Sequence, residues 1–147
     1  MGHNKIDHRT FCAIMDASSG TLDRHMARIL IAEDQADLRE MLSFTLRLDG
    51  HQVVTAADGE EALNQALATS PDLIVLDIKM PGLSGFQVCE QLKRDVKFGE
   101  TPIIIISALN TDEQIEAGYL AGASEFIPKP FSPQLLSERV KNLLEVH

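Results

Sequence analysis

Apolar and polar positions follow two rhythms along this chain, and the rhythms take turns. Unbroken apolar runs stand at Ile29-Leu30-Ile31, Leu73-Ile74-Val75-Leu76 and Ile103-Ile104-Ile105-Ile106, the pattern of strands buried on both faces of a parallel sheet. A more polar run, Gln52 to Ala56 with Val53, Val54 and Thr55, predicts an edge strand, and Glu125-Phe126-Ile127 predicts a short fifth one. Between these runs the spacing turns helical. From Ala36, the residues Leu38, Met41, Leu42, Thr45 and Leu46 share a face, with charges between them and Gly50 as the stop. Asp58 is placed to cap an alanine-rich helix carrying Ala62, Leu63, Ala66 and Leu67. Past Gly85 a third helix is expected to about residue 96, its apolar side made by Phe86, Val88, Cys89 and Leu92.

The fourth predicted helix, Asp112 to Ala121, holds few large apolar residues, and Gly118 inside it costs about 1 kcal/mol relative to alanine. It is expected to be the softest helix, with Ile115 and Tyr119 in the core. A last helix, from residue 132 to about 146, should turn Leu135, Leu136, Val140, Leu143 and Leu144 inward. Strand and helix thus alternate five times, with connections too long for hairpins. That pattern calls for an α/β fold, a five-stranded doubly wound parallel sheet with helices on both faces in a three-layer sandwich. In such sheets ligands bind outside the carboxyl ends of the strands, where this order of elements puts Glu33, Asp34, Asp77, Ser107 and Lys129.

Length and charge narrow the picture. The 147 residues fit one domain, expected over 27–147. Residues 1–26 are polar and unpatterned, with only scattered apolar residues such as Phe11, Ile14 and Met15, and read as a tail, as an artificial extension joined at His25-Met26, or as an upstream mis-assigned start with Met26 the native initiator. His3, His8 and His25 are too irregularly spaced for a metal site, and Cys12 and Cys89 lack zinc spacing, which suits two reduced thiols. With 13 basic against 22 acidic residues and no basic stripe, direct nucleic-acid binding is disfavoured. No apolar run approaches the roughly 18 residues of a membrane span, and no secretion signal is visible, so a cytoplasmic location is expected.

Three carboxylates converging on one rim repel one another, and a hard divalent cation relieves the repulsion. Glu33, Asp34 and Asp77, with a backbone carbonyl from the loop after Asp77 and water, would suit Mg2+; nothing nearby selects zinc or copper. A carboxylate beside such an ion can attack phosphorus and carry the phosphoryl group as an acyl phosphate. The Lys129 ammonium and the Ser107 hydroxyl would meet the remaining phosphoryl oxygens. Taken singly, each of these residues is more often a turn, cap or solvated side chain. The chemistry rests on all five meeting at one rim.

The motifs that carry this chemistry resemble the receiver domain of two-component response regulators: the acidic pair Glu33-Asp34, Asp77 within LDIKMPGLSG, Ser107 followed by Ala108, and Lys129 in KPF. The resemblance covers about residues 27–146. It implies a flavodoxin-like sheet in the order 2-1-3-4-5 with five helices, and Asp77 as the phosphoacceptor for a sensor histidine kinase or histidine phosphotransfer protein. It implies Mg2+ held by Glu33, Asp34, Asp77 and the backbone carbonyl of Lys79, and a cis Lys129-Pro130 bond. A switch is implied too, in which Ser107 moves toward the phosphoryl group and Phe126 turns inward, while the soft fourth helix, the Phe126 strand and the last helix form the face that changes. Such a protein is a phosphoacceptor with slow self-hydrolysis and not a turnover enzyme. The chain stops after the last helix, so a stand-alone receiver that acts on another protein is expected. Two other readings compete, a degenerate receiver serving as a phosphorylation-independent docking module and a flavodoxin-like cofactor binder. The intact acidic rim disfavours the first, and the lack of a glycine-rich phosphate loop after the first strand disfavours the second.

Overall fold

The computed structural model of the chain describes residues 26–146. The expectations for His3, His8, Cys12 and His25 lie outside the described residues. Five strands form one parallel sheet: β1 (Arg28–Ala32), β2 (Gln52–Ala56), β3 (Leu73–Asp77), β4 (Ile103–Ser107) and β5 (Glu125–Pro128). Their spatial order is β2-β1-β3-β4-β5, so β2 is an edge strand as its polar run predicts, and β5 is the other edge. The helices are α1 (Ala36–Leu48), α2 (Gly59–Thr69), α3 (Gly85–Arg94), α4 (Asp112–Ala121) and α5 (Pro133–Val146), with a 3-10 turn at Val96–Phe98.

The strict alternation of side chains along each strand divides the core in two. Leu30, Ala32, Ile74, Leu76, Ile103, Ile105 and Phe126 point to one face and meet Ala62, Ala66, Val88, Cys89 and Leu92. Ile29, Ile31, Leu73, Val75, Ile104, Ile106 and Ile127 point to the other, where Leu42, Leu46, Leu136 and Val140 cover them. Every residue of β3 and β4 is buried. Each fully buried Leu, Ile or Val side chain contributes about 1.5–3 kcal/mol, which makes the two central strands a rigid base for whatever stands at their ends.

Helix starts follow their capping residues. The Asp58 carboxylate accepts the Glu61 N–H at 2.8 Å. At α3, Ser84 and Gln87 form a reciprocal capping box (3.2 and 2.9 Å). Thr111 caps α4 by accepting the Gln114 N–H at 3.2 Å. Two expectations need correction. Helix α3 stops at Arg94, short of residue 96, because Asp95 is extended and its side chain accepts the Lys97 N–H, starting the 3-10 turn afresh. Lys93 braces that turn by donating to the carbonyls of Phe98, Gly99 and Thr101. Tyr119 is not core: it is 47% exposed, as Leu120 is at 81%, because Gly118 and Ala121 are the buried residues of α4. Ile115 does pack against the core.

Candidate functional site at the carboxyl rim of the sheet

Glu33 follows β1 directly, held there by its N–H donating to the Ala56 carbonyl at 3.0 Å. Asp77 is the last residue of β3 and Ser107 the last of β4. Lys129 follows β5, and its N–H donates to the Ser107 carbonyl at 2.8 Å, which draws its side chain back over the rim. The Lys129-Pro130 peptide is cis, as the resemblance implies. All five residues singled out in the sequence therefore stand at the carboxyl end of the sheet.

Lys129 ties the rim together. Its ammonium donates to Glu33 Oε1 at 3.0 Å and to Asp77 Oδ2 at 3.1 Å. Glu33 is fully buried and Asp77 nearly so, whereas Asp34 is exposed. One carboxylate oxygen from each of Glu33, Asp34 and Asp77 lies within 4.8 Å of the others. Burial pushes the Glu33 carboxyl up to about 6, and the Asp77 charge adds to this, against the Gln35 N–H and Lys129 that favour the ionised form. Burial alone would lower the Lys129 ammonium, but its bond to Glu33 and the Asp77 charge outweigh that and raise it.

These donors are hard carboxylate oxygens, which fit a cation such as Mg2+ or Ca2+. Their engagement is unequal. Both Glu33 oxygens already have partners, Oε1 with Lys129 and Oε2 with the Gln35 N–H at 3.1 Å. Asp34 has none on its carboxylate among the described residues, and Asp77 Oδ1 receives only a long contact from the Lys79 N–H at 3.4 Å. Asp34 and Asp77 thus have the less engaged carboxylate oxygens, whereas Glu33 is the buried partner of Lys129. Lys79 itself is exposed in the loop after β3. The Ser107 hydroxyl is buried and accepts the Leu109 N–H at 2.9 Å.

Three further residues shape the rim, and of these Arg39 and Gly118 do not announce their parts in the sequence, whereas Gly85 stands in the turn that ends the Asp77 strand. Arg39, one turn into α1, donates to the Glu33 carbonyl at 2.8 Å and the Asp34 carbonyl at 3.5 Å, pinning the backbone of the acidic pair. Its spacing from Glu33-Asp34 is the only available signal. A Cβ on Gly85 would lie 2.3 Å from the Asp77 carbonyl oxygen, so only glycine lets α3 start against the strand end. At Gly118 a Cβ would meet the Phe126 ring at 3.0 Å, so the glycine that softens α4 is the seat of the buried Phe126.

The sheet order agrees with a known family, and so does the sequence. Residues 29–141 match the family model of the response regulator receiver domain, and the chain belongs to that family. It is 41% identical over 117 residues to the phosphate regulon transcriptional regulatory protein PhoB of Escherichia coli, covering 80% of this chain and 51% of that protein. The chain thus spans about half the length of the curated relatives it matches. Among solved structures, a putative response regulator from Chloroflexus aurantiacus superposes with a TM-score of 0.77 at 37% identity, covering 81% of this chain and 98% of that one. Chemotaxis protein CheY4 of Vibrio cholerae does so at 0.77 and 33%, covering 80% and 98%. The fold is the flavodoxin-like receiver fold, and the chain is a two-component response regulator or the receiver part of one. No helix among the described residues is long and apolar enough to cross a membrane.

Proposed function

We propose that Asp77 accepts a phosphoryl group from the phosphohistidine of a sensor histidine kinase or histidine phosphotransfer protein, and that the Lys129 bridge is what prepares it. The bridge from one ammonium to Glu33 and Asp77 is the observation that carries this reading. It sets a cation against the buried Asp77 carboxylate, beside the atom that attacks. A carboxylate oxygen of Asp77 attacks phosphorus, the phosphorus–nitrogen bond of the donor breaks, and the histidine nitrogen takes a proton. The product is an acyl phosphate, which water slowly hydrolyses back to Asp77 and inorganic phosphate.

Asp34, Asp77 and the Lys79 carbonyl, with Glu33 behind them, would hold Mg2+, which would supply charge neutralisation to the phosphoryl oxygens. Lys129 then has a phosphoryl oxygen within reach in place of Asp77 Oδ2. The Ser107 hydroxyl, one residue past the Asp77 register on β4, supplies the other donor. Donating to phosphate turns Ser107 away from the Leu109 N–H and opens space near Phe126, whose packing on Gly118 links the rim to α4. The face made by α4, β5 and α5 changes in response and engages a downstream protein. Moving such a two-state element from 1:99 to 99:1 takes about 5.5 kcal/mol of differential stabilisation, within the range of several charge-assisted bonds.

Intact mass after incubation with acetyl phosphate and Mg2+ tests the reading. A labile gain of one phosphoryl group is expected on the parent, and none on Asp77→Asn or with excess EDTA. A gain that persists in Asp77→Asn contradicts the assignment. Mg2+ alone should raise stability by about 2.7 kcal/mol at a hundred times its Kd, and Asp34→Asn should remove that increment in thermal unfolding.

A further inference from the structure

Away from the rim, a groove of ≈ 840 Å³ runs between α1 and α5. Met41, Phe44 and Leu48 wall it on α1, and Pro133 and Leu144 on α5. Phe44 is 63% and Leu48 71% exposed, so this face presents apolar surface that the described residues leave uncovered. The groove also meets the point where the chain enters the domain. His51 lines it, and its Nδ1 accepts the Ala27 N–H at 3.1 Å. Met26 sits beside the same turn, with its Cγ 3.9 Å from where a Cβ on Gly50 would be.

Residues 1–25, which precede this point, are polar for the most part, but the few large apolar residues Phe11, Ile14 and Met15 fall together at i, i+3, i+4 spacing beside Cys12 and Ala13. We propose that this N-terminal cluster docks in the α1–α5 groove, with Phe11, Ile14 and Met15 covering Met41, Phe44 and Leu48. The reach is ample. The stretch from Met15 to Met26 extends up to about 36 Å, whereas the thirteen residues of α1 span about 20 Å. Charge favours the chain's own segment over a second copy. The segment has three Lys/Arg and three Asp, so the rest of the chain carries the whole net charge of −9, and two such domains repel. A short tether also makes docking intramolecular at high effective concentration.

Cys12 lies inside the cluster and supplies the test. Cys89 does not compete, since it is buried and its thiol is pushed up to about 11, by burial foremost. Ser137 lines the groove on α5, whereas Asn64 is exposed on α2 across the sheet. Full-length Ser137→Cys, under mild oxidation, should form an intrachain disulfide with Cys12 at least about tenfold faster than Asn64→Cys does. Adding Phe11→Ser to the Ser137→Cys protein should slow it by a similar factor. Equal rates at the two positions, or no effect of Phe11→Ser, overturn the proposal. Disulfide-linked dimers as the main product would assign the groove to a second copy and overturn it equally.

Discussion

Glu33 holds an uncomfortable charge. It is fully buried, bound by one ammonium that it shares with Asp77, and raised to about 6 mainly by burial. An acid raised above its ordinary 4.5 binds a proton more tightly folded than unfolded. Its contribution to stability is therefore fullest below pH 4.5 and is lost as pH rises through about 6, by roughly 2 kcal/mol. In metal-free buffer with EDTA, Glu33→Gln should flatten the decline of stability between pH 4.5 and 6.5; an unchanged slope in urea titrations contradicts this assignment. Lys129 makes the converse case. Lys129→Ala leaves two buried carboxylates without their cation and should cost about 2–3 kcal/mol at pH 7, read as a lower denaturation midpoint; a neutral effect would mean the bridge does not hold in solution.

Single residues also mark where sequence reading reaches its end. Glu33, Asp34, Asp77, Ser107 and Lys129 were legible because each follows or ends an apolar run, and a strand's end fixes its place in the fold. Arg39 and the seat that Gly118 gives Phe126 were not. Their parts depend on what lies opposite them in space: a carbonyl of the acidic pair and the Phe126 ring. Tyr119 was misplaced for a related reason, since helical spacing marks a face but not how much of it the sheet covers.

At the scale of elements, the bounds of α4 agree with the sequence expectation because Thr111 caps it and Gly122, at φ 114°, ends it. Its hold on the sheet is narrow. Gly118 and Ala121 are its only buried residues, against four in α3. Amides of α4 should therefore exchange with solvent at a lower opening free energy than those of α3, by about 1–2 kcal/mol. Native-state hydrogen exchange resolves this, and equal protection would remove α4 as the soft partner of Phe126. The end of α3 escaped the sequence because periodicity continued through Val96, while the stop is a backbone choice by Asp95. Val96, 95% exposed, was the misleading apolar position.

For the whole molecule, alternation of element types dictates a parallel three-layer sheet, and burial on both faces of β3 and β4 follows from their unbroken apolar runs. Strand order does not follow from alternation, because several doubly wound orders share the same sequence of elements; it came from the family motifs and agrees with the structure. The order matters to the chemistry, since β1 and β3 are neighbours, and that adjacency brings the acidic pair against Asp77. Charge completes the picture: three carboxylates face one lysine at the rim, an arrangement that could hold a cation.

The measurement that meets the central claim most directly is the position of the acyl phosphate. After phosphorylation with acetyl phosphate and Mg2+, borohydride reduction converts an aspartyl phosphate to homoserine, which peptide mass spectrometry locates. Homoserine at position 77, and at no other carboxylate, is the predicted result. Homoserine at Asp34 instead, or none in protein that has gained a phosphoryl group, would contradict Asp77 as the acceptor.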